Sequence, residues 1–381
     1  MHRLALLVAG LALLAGVAAT LSGSATQAEA RWVITDLGVI DWTAEIAVNE
    51  RGQVVSGQSL WRGGRTIRVG FLWQNGRKTT LPLLPTGINE SGQVVGEIGA
   101  KSGPYDTDAV LWQNGNVTNL GALGGKDSAA AAINDRGQVV GRADTPRNFW
   151  EDMQYWHAFL WQKGRMRDLG TLGGRESHAQ AINERGQVVG RSDTARLADG
   201  FVRSLGFIWE RGKMRDLGLR FRSTYPAVIN DRGQVVGSVD GHAAVWESGQ
   251  IRTLRPLGAG FTALDINEAG AVAGFCSFGP HHLAHPCLWH KDTVRDLGIA
   301  FGDRGKAVAL NDRGQVVGFT RGGRGSATHA FVWEDGKMTD LGTLSGRSSE
   351  ALAINRSGMI VGRRLMTSGE THAALWTLKR S

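Results

Sequence analysis

Cysteine is nearly absent from this chain: its 381 residues hold two, Cys276 and Cys287. Zinc sites usually announce themselves by closely spaced pairs of the form Cys-x2–4-Cys, and none occurs, so no metal is expected even though His281, His282, His285 and His290 surround Cys287. Basic residues outnumber acidic ones, for a net charge of +8, but they come singly, with no run of five or more. A nucleic-acid partner calls for a dense stripe and is not expected; loose, salt-sensitive attraction to anionic cell-surface material fits scattered arginines better. Beyond Leu21 no apolar run is long enough to span a bilayer. Enzyme motifs are missing as well. There is no His-Glu-x-x-His, no Gly-x-Ser-x-Gly and no phosphate loop, and Gly342–Gly346 places its serine one position late. The run 173–177, Gly-Gly-Arg-Glu-Ser, lacks the following helix that lets such loops hold phosphate. No catalytic residue and no cofactor is expected.

What fills the chain is a repeat. The asparagine of an Ile-Asn-x-x-Gly pattern recurs at Asn49, Asn89, Asn134, Asn183, Asn230, Asn267, Asn311 and Asn355. A tryptophan closing a His-Ala-Phe-Leu-Trp-like segment recurs at Trp73, Trp112, Trp161, Trp209, Trp246, Trp289, Trp333 and Trp376. Two independent markers with the same count establish eight units. The fullest copy, residues 157–190, parses into short apolar runs bounded by Gly, Asn and Asp, which read as strands. The gaps are too short for the ten or so periodic residues a helix needs. Asn-x-x-Gly suits a tight turn with Asn first and Gly fourth.

Four strands in about 40–45 residues is the length of a propeller blade. The two ends are complementary. Trp32–Gly38 reads as a fourth strand with no first three, whereas the last unit has three strands and then only Thr377–Ser381. The N-terminal strand therefore completes the last blade and removes exposed sheet edges. The fold class is all-β, a propeller of eight blades; seven blades with one degenerate unit is the nearest alternative.

Residues 1–30 have a basic start, an apolar run from Leu4 to Leu21 and an Ala28-Glu29-Ala30 site, the grammar of a cleaved signal peptide. A retained anchor is the other possibility. The expectation is one secreted, periplasmic or extracellular β-propeller domain over 31–381, monomeric and without a stable membrane span once the signal is removed. In an oxidising compartment Cys276 and Cys287, on neighbouring strands of one blade, are expected to form a disulfide; a pair of buried thiols is the alternative.

The motifs His157-Ala158-Phe159 and His329-Ala330-Phe331, weaker copies at His242 and His372, the run Asp168–Gly174, and Ala181-Ile182-Asn183-x-x-Gly186 together resemble the HAF repeat family of probable extracellular bacterial proteins. The resemblance covers nearly all of residues 32–376. Unit two departs from it with Asp108-Ala109-Val110, unit four with Gly206-Phe207, and unit six with Pro286-Cys287. It implies export and a β-rich repeat fold, and no activity, substrate or catalytic residue.

Most repeated positions have structural readings. The tryptophans pack between blades, Asp168, Asp216, Asp296 and Asp340 cap turn amides, and the repeated histidine bridges to a neighbouring backbone. Antiparallel order puts all length variation on one face, where the insertions Arg142–Trp156 and Arg191–Leu205 lie. Such loops over a rigid scaffold are where binding residues gather. Trp150, Tyr155 and Trp156, beside Phe149, suggest a contact surface for a sugar or a protein; folding back as a local cap is the plainer alternative. On the same face Lys126, Arg175, Arg304 and Arg347, with Asp127, Ser128, Glu176, Ser177, Ser348 and Ser349, are expected to form a polar, basic funnel. The function expected is a non-catalytic binding or scaffold module for an extracellular glycan, cell-wall or protein partner. The alternative is a hydrolase or lyase of extracellular glycans, with Asp127 and Glu176 as candidate carboxylates.

Overall fold

A computed structural model describes residues 31–62, 65–99, 107–146, 155–195, 200–218, 221–254, 258, 260–278, 283–323, 326–343 and 346–379. Phe149, Trp150, His281 and His282 lie outside them. The described residues form eight antiparallel four-stranded sheets arranged as an eight-bladed β-propeller. In blade 4 the strands are Gly173–Ile182, Val188–Thr194, Ser204–Glu210 and Lys213–Asp216, paired in chain order. First strands of successive blades neighbour one another, which places them around the central channel.

The third strand shows why these sequences are strands and why blades stack. In Trp156–Gln162, Phe159 and Trp161 point back into a cluster with Val95, Ala109 and Leu111 of blade 2. Ala158 and Leu160, on the opposite side of the same strand, point forward to Ala179, Val188, Phe207 and Trp209 of blade 4. Side chains alternate across a strand, so a strand buried on both faces reads as an unbroken apolar run. The core is thus divided among clusters that join blades rather than fill them. The tryptophans sit in these seams as expected, Trp376 with no exposed surface. Arginines of the outermost strands cover several of them from the preceding blade: Arg167 lies 5.2 Å above Trp209, Arg252 4.7 Å above Trp289 and Arg295 5.0 Å above Trp333.

Ring closure follows the expected route. Arg31–Val39 pairs antiparallel with Thr371–Lys379, from Arg31 opposite Lys379 to Val39 opposite His372, and completes blade 8. Eight complete sheets exclude the seven-bladed alternative. In blade 6 Cys276 and Cys287 form a disulfide with Cα atoms 5.8 Å apart, inside the seam between blades 5 and 6.

Candidate binding face

Strand direction alternates within a blade, so the Asn-x-x-Gly and Trp-x-x-Gly turns share one face, and the longer loops share the other. The tight-turn face is knitted shut. In blade 4 the Gly186 amide donates to the Asn183 carbonyl at 3.0 Å, and Gly186 has φ +77°, a conformation glycine adopts without strain. Asn183 itself does more than turn the chain. Its Nδ2 donates to Gln187 Oε1 at 2.7 Å and to the Asn230 carbonyl of the next blade at 2.9 Å, while its Oδ1 accepts from the Gln187 amide. The inter-blade bond recurs in all eight blades at 2.9–3.1 Å, ending with Asn355 on the Asn49 carbonyl, and so forms a closed circle.

One residue further on, a second circle surrounds a cavity of about 310 Å³ on the propeller axis. The Glu50 amide donates to the Glu90 carboxylate, Glu90 to Asp135, Asp135 to Glu184, Glu184 to Asp231, Asp231 to Glu268, and Glu268 to Asp312, all at 2.7–2.9 Å. Arg356 occupies the eighth place. Its amide donates to Glu50 and its Nε to Asp312 at 3.1 Å, which closes the circle with opposite charge. Burial, and then the Asp135 and Asp231 charges acting against the backbone bond it accepts, raises the Glu184 pKa above its usual value. The sequence reading passed over this ring, although acids after seven of eight marker asparagines in a chain of net charge +8 are a visible signal.

On the loop face the Asp-Leu-Gly aspartates cap turn amides as expected: Gly170, Gly218, Gly298 and Gly342 donate to Asp168, Asp216, Asp296 and Asp340 at 2.7–3.0 Å. The expected histidine–backbone bridge is corrected. His157, His285, His329 and His372 each place Nδ1 2.8–3.1 Å from a carboxylate, of Asp168, Asp296, Asp340 and Asp36 respectively. The aspartate is already fixed by the turn, so the nearest acceptor for the imidazole is its second oxygen and not a carbonyl. Despite the burial of its carboxylate, the bonds from His157 and the Gly170 amide hold the Asp168 pKa below its ordinary value.

The expected funnel separates into two kinds of residue. Ser128, Ser177 and Ser349 are buried seam clips: their hydroxyls accept from the amides of Ala109, Ala158 and Ala330 in the preceding blade, and Ser177 and Ser349 donate to the carbonyls of Gly170 and Gly342. Lys126, Arg175 and Arg347 are exposed, and Arg304 places Nε 3.0 Å from Asp303. Arg175 lies 5.4 Å from the ring centre of Tyr155, which unites one funnel residue with one insertion aromatic. Tyr155 and Trp156 are half-buried, and Arg142 lies 4.6 Å over Trp156.

Arg142 was not singled out in the sequence. Nor were His178, Arg191 and Tyr225, which complete a patch across blades 3, 4 and 5. Arg142 Nη1 is 3.4 Å from His178 Nδ1, His178 Nε2 is 3.7 Å from Glu176, and the Arg191 guanidinium lies 4.3 Å over Tyr225, which is 40% exposed. Burial, and then the positive charge of Arg142, pushes the His178 pKa below its ordinary value, so the imidazole is neutral at pH 7 and its Nδ1 accepts from Arg142.

Asp265 is a separate oddity in the first strand of blade 6, where five other blades carry alanine, among them Ala132 and Ala181. Its carboxylate accepts from the amides of Ile266 and Leu310. Part of the residue reaches solvent, but protein crowds the carboxylate, and burial raises its pKa to about 6. A folded-state pKa above the unfolded value means that the protonated form favours folding. Stability from this group is present below about pH 4 and lost as pH rises to about 6, by roughly 3 kcal/mol. Asp265→Ala is expected to flatten that slope, lowering stability at pH 4 and leaving it equal or higher at pH 7. Thermal melts at the two pH values check this, and equal slopes in both proteins would refute it.

No protein-family model matches the chain, and no curated protein matches it in sequence. Solved structures do. The chain is similar to the β-propeller domain of the Trilobed protease from Pyrococcus furiosus, with 9% identity over 88% of this chain and 97% of that one, at a TM-score of 0.48. It is similar to the Pyrococcus horikoshii acylaminoacyl peptidase, with 11% identity over 84% of this chain and 57% of that one, at a TM-score of 0.51. TolB from Acinetobacter baumannii aligns with 11% identity over 85% of this chain and 80% of that one, at a TM-score of 0.36. The chain spans little more than half of the acylaminoacyl peptidase, and the likeness is one of fold.

Proposed function

We propose that this chain is an exported, non-catalytic binding propeller that engages an extracellular glycan through the loop face of blades 3 to 5. The observation that carries the reading is the meeting of half-exposed aromatic rings with arginines in that one sector: Trp156 with Arg142, Tyr155 with Arg175, and Tyr225 with Arg191. Rings held by a rigid seam present flat faces to sugar C–H groups at little entropic cost. Two loop-face carboxylates are already engaged, Glu176 with His178 at 3.7 Å and Glu350 with Arg363 at 2.8 Å, which favours binding over acid–base chemistry at those positions. Export rests on the signal-like residues 1–30 and on the HAF resemblance, and a secreted or periplasmic location follows from the same reading.

The test is a glycan and cell-wall-fragment array probed with residues 31–381 at low and high salt, beside Trp156→Ala and Tyr225→Ala. Retention that falls about tenfold in each variant at either salt concentration is the expected result, matching roughly 1.4 kcal/mol per ring. Binding that ignores both variants overturns the reading.

A further inference from the structure

We propose that Arg142 and Arg191 form a recognition site for the carboxylates of an acidic saccharide, a hexuronate chain laid across blades 3 to 5. The proposal rests on the glycan-binding reading above and narrows it to one ligand class.

Arg142 and Arg191 hold the same repeat position, directly after Val-Val-Gly in the second strand, on adjacent blades. Each faces the first strand of the following blade. Elsewhere this position is uncharged or compensated. Ser238, Phe275 and Phe319 carry no charge, Arg363 meets Glu350 at 2.8 Å, and Glu97 meets Arg68 at 3.9 Å. Among the described residues, neither Arg142 nor Arg191 has a carboxylate within 4 Å. Glu97 feels the Arg142 charge from further away, and Glu176 is turned to His178. The Nε of Arg191 is buried and donates to nothing.

Two arginines with unspent donors thus flank His178: Arg142 lies 3.4 Å from its Nδ1, and after burial the charges of Arg142 and, more weakly, Arg191 lower its pKa. Each guanidinium is backed by an aromatic ring, Trp156 at 4.6 Å and Tyr225 at 4.3 Å. Stacking of this kind fixes the plane of the guanidinium and leaves its N–H edge free to fork onto a carboxylate. The repeat of one arginine per blade suits a polymer with one carboxylate per ring, and the exposed part of Tyr225 offers the sugar face a platform. A lone phosphate would satisfy an arginine but not the rings.

The experiment is titration calorimetry of the full chain with tetragalacturonate, its methyl ester, neutral tetragalactose and inorganic phosphate, with thermal melts of every variant. Tetragalacturonate is expected to bind, and the ester at least tenfold more weakly. Arg142→Gln and Arg191→Gln are each expected to weaken binding about tenfold with melting unchanged. Arg191→Lys, which keeps the charge but loses the fork, should fall between. Equal binding of the ester, indifference to the arginine variants, or phosphate binding as tightly as the saccharide overturns the proposal. Binding of tetragalactose without tetragalacturonate overturns it while leaving the glycan reading intact. Loss through misfolding would show in the melts, and the lysine variant then decides the matter.

Discussion

Asn183→Ala should destabilise the ring by roughly 3–4 kcal/mol, far more than its small volume suggests. The side chain is 4% exposed and serves the Gln187 side chain, the Gln187 amide and the Asn230 carbonyl of the next blade. Removing it strands buried partners, at about 1–3 kcal/mol for each one left unsatisfied and with some relaxation. Gln187 in turn reaches Glu210 in the third strand, so the loss spreads along the blade as well as around the circle. Asn183→Asp fares no better, because it turns an oxygen towards the Asn230 carbonyl where a donor stood. Denaturant unfolding beside the exposed control Lys213→Ala, expected within about 0.5 kcal/mol of the parent, measures the difference. A cost below about 1 kcal/mol for Asn183→Ala would show the circle to be incidental.

Removal of residues 31–39 is expected to abolish cooperative unfolding altogether. The strand pairs along its length with Thr371–Lys379 and buries Leu37, with Trp32 and Ile34 packed over the cluster that holds Trp376. It also carries Asp36, which bonds His372 at 2.9 Å and the buried Arg364 at 3.3 Å, and the Leu37 carbonyl, which accepts from Lys78 of blade 1 at 2.5 Å. Burial of three large side chains at about 1.5–3 kcal/mol each, plus a full ladder, approaches the 5–15 kcal/mol total stability of a typical domain. The shortened chain also offers an open sheet edge to other copies. Light scattering and thermal melts are the readout, with a synthetic peptide of residues 31–39 expected to restore the transition in trans. A truncated chain that melts within about 5 °C of the full one would refute the account.

The architecture was legible because its signals are local. A marker asparagine and a marker tryptophan count the blades, and the complementary ends announce closure. The relations between blades were not legible, because a linear period says nothing about which residue faces which across a seam. Asn183 reads as a turn former, yet its decisive bond lies on Asn230. Ser177 reads as a funnel hydroxyl, yet it is a clip buried under Ala158. Arg142 and Arg191 read only as the first residues of the two insertions, and only the stacking of blades reveals that they flank His178. Of the aromatics of the first insertion, Tyr155 and Trp156 lie beside arginines that the sequence did not pair with them, and Trp150 lies outside the described residues.

Closure by the first strand also sets a timetable for biosynthesis. Arg31–Val39 leaves the ribosome long before Thr371–Lys379, the strand it pairs with, exists. Each intermediate length is an arc with two unsatisfied ends, so the growing chain can stack blades but cannot lock them. Contacts this distant in sequence slow the last step of folding and prolong the aggregation-prone interval. The sheet of blade 8 therefore stays one strand short until the very end of the chain has been made.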